Sequence, residues 1–184
     1  MELIYVGIGI VVILLLWLVA TRNGLVSGKI KVQESESGID VALTKRFDVL
    51  TKMIEVVKGY AKHEKETLER VIQLRNSVHS GNTTLEQKQE MVNTMDQAMR
   101  AINVVVEQYP VLKANENFSK LQSTIADVEE HLQAARRVYN ANVSAYNLKV
   151  QMFPSSIVAG MFHFETLKFF EAEEFKRKDV EMKF

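Results

Sequence analysis

His63-Glu64-Lys65-Glu66-Thr67 is the one place in this chain where residue types and spacing approach a catalytic pattern. In HExxH, two histidines one turn apart share a helix face and hold zinc, while the glutamate between them serves as general base. Here Thr67 stands where the second histidine belongs, so a metalloprotease is not expected and a solvated helix face is. The charges suit that face: Lys62 with Glu66, Lys65 with Glu69 and Glu66 with Arg70 have the i, i+4 spacing, worth roughly a few tenths of a kcal/mol per pair. The other histidines, His79, His131 and His163, share no ligand spacing. Cysteine is absent, which removes disulfides, thiolate nucleophiles and sulfur-bound metals. There is no glycine-rich phosphate loop and no nucleophile elbow. The sequence therefore predicts no catalytic residue, no cofactor and no metal.

Three other groups of residues could recognise something. Glu64 and Arg75 fall where the apolar stripe described below asks for an apolar side chain, and edge exposure accounts for both. A sharper reading pairs Glu64 with Arg136 or Arg137 to fix helix register. Tyr139-Asn140 and Tyr146-Asn147 repeat at seven residues and so share a helix face, suited to a core edge or to a partner or self-association surface. Phe162, Phe164, Phe169, Phe170 and Phe175 crowd a C-terminal tail; they either fold back over the first soluble helix or dock elsewhere.

The elements that must position these residues are helices. Two prolines and eight glycines in 184 residues suit a few long helices better than a many-stranded sheet. Residues 3–20, LIYVGIGIVVILLLWLVA, carry no charge; as a helix they span about 27 Å, close to a bilayer's hydrocarbon thickness. No lysine or arginine precedes the run, which argues for a retained anchor over a cleaved signal peptide. Arg22, Lys29 and Lys31 follow it, so the positive-inside bias predicts the N-terminus outside and the rest in the cytosol. With 23 basic and 23 acidic residues, no net field recruits nucleic acid.

Beyond residue 29, apolar residues recur at helical spacing. Ile39, Leu43, Phe47, Leu50, Ile54, Val57, Ala61, Leu68, Val71 and Val78 form one stripe, with Gly38 and Gly59 as weak points and a bend or break near Gly38 permitted. Residues 80–84 form a turn in which Thr83 or Thr84 can cap a second helix. That helix carries Leu85, Val92, Met95, Met99, Ile102, Val106 and Tyr109 and ends at Pro110. A third stripe runs Phe118, Leu121, Ile125, Val128, Leu132, Ala135, Tyr139, Tyr146, Val150 and Phe153 to Pro154, after which Ser155 or Ser156 can cap a short segment, 157–161. The predicted fold is all-α: one N-terminal transmembrane helix, then an antiparallel bundle of three long helices plus a short C-terminal helix or tail. The expected divisions are an anchor at 1–22, a juxtamembrane connection at 23–38, a helical bundle at 39–161 and an aromatic, then charged, tail at 162–184. The three stripes differ in length, which leaves part of the first for the tail or a second copy to cover.

Several stretches resemble the LemA family over nearly the whole chain. Asn23-Gly24-Leu25-Val26 is similar to its junction, and Ile39-Asp40-Val41-Ala42-Leu43 with Arg46-Phe47-Asp48-Val49-Leu50 to its first soluble helix. The block from Glu55 to Leu68, EVVKGYAKHEKETL, is the most specific. Tyr109-Pro110-Val111-Leu112-Lys113-Ala114-Asn115-Glu116-Asn117-Phe118, Ala135-Arg136-Arg137-Val138-Tyr139-Asn140, Tyr146-Asn147, Phe153-Pro154-Ser155-Ser156-Ile157 and the last five residues extend it. Lys45-Arg46 stands where members commonly show two arginines, and residues 49–52 lack a proline that members carry. The resemblance implies a helical cytosolic domain behind one anchor, without an accepted catalytic activity. Members occur beside membrane proteases and in bacterial organelle-forming systems, which implies scaffolding.

The expected function is accordingly a non-enzymatic, membrane-anchored scaffold or adaptor. Its partners would be lipid through residues 3–20, other proteins including membrane proteins, and copies of itself. The alternative is a ligand-sensing helical domain, which needs a pocket between helices.

Overall fold

The computed structural model describes residues 1–59 and 83–170, which contain helices and no strand. Helix α1 spans Glu2–Val57, α2 Leu85–Gln108, α3 Pro110–Lys113, α4 Glu116–Gln151 and α5 Ser155–Met161. The chain divides into two compact units. Unit 1 comprises Met1–Ser37 and Arg137–Phe169; unit 2 comprises Gly38–Arg136 and Phe170–Phe184.

The N-terminal part of α1 is long and apolar enough to cross a membrane, with a mean hydropathy of 2.9 over its best eighteen residues and none of that window buried within the protein. Residues 23–38 continue the helix without interruption. Gly38 therefore causes no break. A Cβ placed there would meet nothing within 4 Å, and the roughly 1 kcal/mol a helical glycine costs is outweighed by burial of Val32, Ile39 and Leu43 on either side. Buried Ser35 and Thr51 fit an apolar face because each donates its hydroxyl to its own helix: Ser35 to the Lys31 and Val32 carbonyls, Thr51 to that of Phe47.

Unit 2 is where the predicted stripes become a core. Ile39, Leu43, Phe47, Leu50, Ile54 and Val57 of α1 are each no more than 1% exposed. Val92, Met95, Ile102 and Val106 of α2, and Phe118, Ile125, Val128 and Leu132 of α4, are also buried. Helix α1 ends at Val57 and turns at Lys58 and Gly59 rather than running to residue 78. The later stripe positions, Ala61, Leu68, Val71 and Val78, lie outside the described residues.

Thr84 caps α2 with a reciprocal box: its backbone N–H donates to Gln87 Oε1 at 2.8 Å, and the Gln87 N–H donates to Thr84 Oγ1 at 3.3 Å. Pro110 ends α2 and opens α3, a single turn where the sequence suggested only a connection. Asn115 then starts α4, its Oδ1 accepting from the N–H groups of Asn117 and Phe118.

One ion cluster sets the alignment within unit 2. Arg46, 4% exposed, donates through Nη2 to Asp96 Oδ1 of α2. The same nitrogen lies 2.9 Å from Glu129 Oε2 of α4. A second pair joins buried Lys88 to Asp40 at 2.7 Å. Partner numbers on α1 and α2 rise together, 40 with 88 and 46 with 96, so these two helices run the same way. That corrects the expectation that all three long helices alternate. Residues 60–82, which join α1 to α2 in sequence, lie outside the described residues.

Arg46→Ala should lower unfolding stability by about 3 kcal/mol, because Asp96 and Glu129 keep their charges and lose their cation. Chemical denaturation of the anchored protein in detergent checks this, and Arg46→Lys should recover only part of the loss because it lacks the guanidinium fork.

Candidate functional site

In unit 1, α1 and α4 approach closely in opposed register. The Asn142 side-chain amide donates to the Lys31 carbonyl at 3.3 Å, and a Cβ placed on Gly28 would lie 3.3 Å from the Tyr146 ring. Glycine at position 28 is what lets the Tyr146 ring lie so near the α1 backbone. Farther down the pair, Leu25 of α1 clusters with Val158 and Ala159 of α5, and Val150 and Phe164 pack against them.

The chain leaves α5 through a tight C-terminal motif. The Phe164 N–H donates to the Ala159 carbonyl at 2.9 Å and the His163 N–H to that of Gly160 at 3.3 Å. His163 has φ 54°, in the left-handed region usually occupied by glycine. Phe164 packs back on the cluster of Leu25, Val158 and Ala159, the kind of apolar contact that accompanies this motif. The sequence suggested that Ser155 or Ser156 caps α5, but no side chain does so. Ser155 Oγ instead donates to the Lys149 and Met152 carbonyls, closing the end of α4.

After this turn the segment 164–170 lies along α4 without forming a helix. Asn147 holds it at two points: its Nδ2 donates to the Leu167 carbonyl at 2.8 Å, and its Oδ1 accepts from the Leu167 N–H at 2.8 Å. Tyr139 donates its hydroxyl to the Lys168 carbonyl at 3.0 Å. The contacts read backbone, so they recognise an extended segment more than its side chains.

These placements allow the candidate residues to be located. Tyr139 and Tyr146 are buried, Asn140 and Asn147 are half-buried, and Phe164 belongs to the α5 cluster. Phe169 is exposed. In unit 2, Phe170 is buried and the Arg136 guanidinium lies 4.8 Å from its ring centroid, a cation–π arrangement. Arg137 is exposed, and Glu64 lies outside the described residues. Among the described residues, Arg46 is a charged residue that joins α1 to both α2 and α4, and the sequence reading passed over it. Its position three after Leu43 and four before Leu50 puts it on the apolar face, and that placement was the available signal.

Among the described residues no three histidine, aspartate or glutamate side chains converge to hold a metal. Two surface depressions stand out, about 350 Å³ along α1 between Asn23 and Glu34 in unit 1 and about 490 Å³ between Lys52 and Thr124 in unit 2, and both are open to solvent.

Two outcomes follow from the tail clamp. Asn147→Ala should cost about 1–3 kcal/mol by leaving the Leu167 backbone groups unpaired, read as a lower melting temperature and faster amide exchange at Leu167. Tyr146 has its pKa raised above 10, first by burial and second by the charge of Glu165. The folded state therefore holds the phenol proton more tightly than the unfolded one, so this stabilisation is complete below about pH 10 and is lost as pH rises through the folded value. Thermal melts across that alkaline range should fall in the native protein and fall less steeply in Tyr146→Phe.

The chain is similar in sequence to known proteins. Protein LemA of Metamycoplasma hominis is 29% identical over 163 residues, which cover 89% of this chain and 74% of that protein. Magnetosome protein MamQ 2 of Paramagnetospirillum magneticum is 26% identical over 74 residues, and magnetosome protein MamQ of Magnetospirillum gryphiswaldense 23% over 73. Each of those matches covers 40% of this chain and only 27% of the magnetosome protein. The LemA family model matches residues 35–184, from the last residues of unit 1's α1 segment through the C-terminus, and the chain belongs to the LemA family.

Proposed function

We propose that this protein is a non-enzymatic scaffold fixed in the bacterial inner membrane by residues 3–20, with its helical units in the cytosol and its surfaces offered to membrane proteins and to further copies of itself. One observation carries the reading: the apolar segment, unburied within the protein, and the buried stripe of unit 2 belong to one uninterrupted helix, α1. A helix built that way holds a folded domain at a bilayer surface and needs no chemistry to do so. The packing of α1, α2 and α4 around Arg46 supplies a bundle with long outer faces, the kind of surface on which helical partners settle. Exposed Arg22, Lys29 and Lys31 just beyond the apolar run favour the cytosolic orientation. The magnetosome relatives belong by name to a bacterial organelle, which is in keeping with an organising role.

Proximity labelling from the full chain and from a variant lacking residues 1–20 tests the proposal. The full chain should label a restricted set of membrane proteins together with untagged copies of itself, and the anchor-deleted variant should lose both. Identical labelling by the two, or a reporter after Phe184 that is active only outside the cytoplasm, would overturn it.

A further inference from the structure

We propose that the corner joining α4 to α5, residues 152–162, dips into the headgroup layer of the leaflet from which α1 emerges, so that unit 1 grips the bilayer at a second place. The inference rests on residues 3–20 being the anchor and goes beyond it.

The register inside unit 1 gives the depth. Asn142 meets Lys31, Tyr146 lies against Gly28, and Val150 packs on the cluster that contains Leu25. Each advance along α4 moves toward the membrane end of α1, and the same progression brings residues 152 and 153 level with residues 21–23. Two contacts fix the far side of the corner. Val158 and Ala159 seat on Leu25, and the Arg22 guanidinium lies 5.2 Å from the Phe162 ring centroid. At 1.5 Å per residue, Arg22 and Leu25 stand about 3 and 7.5 Å beyond Ala20, which is the depth of the polar headgroup region when residue 20 marks the edge of the hydrocarbon.

What the corner presents at that depth is apolar. Phe153 is 80% exposed, Met161 60%, Met152 58% and Ile157 52%. Ile157 and Met161 are four apart and so share one face of α5, while Val158 and Ala159 are buried against Leu25. A cluster of large apolar side chains held in water is unfavourable; the same side chains at the acyl boundary of a bilayer are not.

Charge agrees with the placement. No aspartate or glutamate occurs between Glu2 and Glu34, or between Glu130 and Glu165. The ionised side chains of unit 1 in those two stretches are Arg22, Lys29, Lys31, Arg137 and Lys149, all exposed, and Lys149 is in the last turn of α4 beside the corner. Basic residues around an apolar wedge fit a leaflet containing anionic lipid. The occupant of the patch is therefore the bilayer itself and not a protein groove.

The absence of cysteine makes the test direct. Full-length single-cysteine variants Phe153→Cys, Ile157→Cys, Asn23→Cys, Ile10→Cys and Ser123→Cys are labelled with an environment-sensitive fluorophore. They are then placed in vesicles of phosphatidylcholine with and without phosphatidylglycerol. Quenching is measured with nitroxides carried near the headgroup or deep in the acyl chain, and with aqueous iodide. Labels at 153 and 157 should match the label at 23, quenched by the shallow nitroxide and shielded from iodide, and more strongly so in anionic vesicles. The label at 123 should respond to iodide alone. Iodide quenching at 153 and 157 equal to that at 123 would overturn the proposal, as would shielding from iodide without nitroxide quenching, which points to a protein cover. The deep nitroxide on the label at 10 reports the anchor separately: loss of quenching there rejects the anchor, and quenching there with none at 153 and 157 rejects the corner alone.

Discussion

None of the eighteen most apolar residues in the first part of α1 is buried within the protein, and that one constraint bears on the rest of the molecule. An uncovered apolar helix in water loses roughly 25 cal/mol for every Å² of apolar surface left wet, whereas in hydrocarbon its backbone bonds are already satisfied within the helix. The segment is long and apolar enough to cross a membrane. Because α1 continues to Val57 without a break, the same helix that carries the apolar segment supplies the buried stripe of unit 2.

Within unit 2 the apolar stripe gives cohesion but little alignment, since one leucine packs much like another when a helix slides by a turn. Arg46 is different. Its guanidinium sits 4% exposed between an aspartate of α2 and a glutamate of α4, and a one-turn slip of either helix would strand a charge. Gln133 steadies the arrangement by donating to the other Glu129 oxygen at 2.7 Å. Among the described residues, Nε and Nη1 of Arg46 lack an acceptor, so the cluster serves alignment more than net stability. In unit 1 a steric device does the comparable work, with Gly28 admitting the Tyr146 ring and Asn147 clamping the tail backbone.

Helical period carried most of the fold into view from the sequence. The positions at 39, 43, 47, 50, 54 and 57 were legible because a stripe at steps of three and four has one geometric meaning, and Thr84 was one of the two caps, with Thr83, that the turn at 80–84 offered. What escaped was tertiary. The shared direction of α1 and α2 depends on pairs such as Arg46 with Asp96, whose partners are fifty residues apart in sequence. Phe153 fits the stripe by spacing yet is 80% exposed, because α4 stops at Gln151 and the period stops with it. The path of residues 164–170 was not legible because it is set by Tyr139 and Asn147 reaching the backbone of Lys168 and Leu167, and a backbone contact leaves no mark on the residues contacted.

The central claim is that α1 runs unbroken from lipid into the bundle. Amide hydrogen exchange on the full chain in lipid nanodiscs measures it residue by residue. The account predicts continuous protection through residues 5–57, with the stretch from 21 to 38 exchanging far more slowly than an unstructured segment would. Rapid exchange across 21–38 with protection on both sides would make the anchor and the bundle separate helices on a flexible tether, and would contradict it.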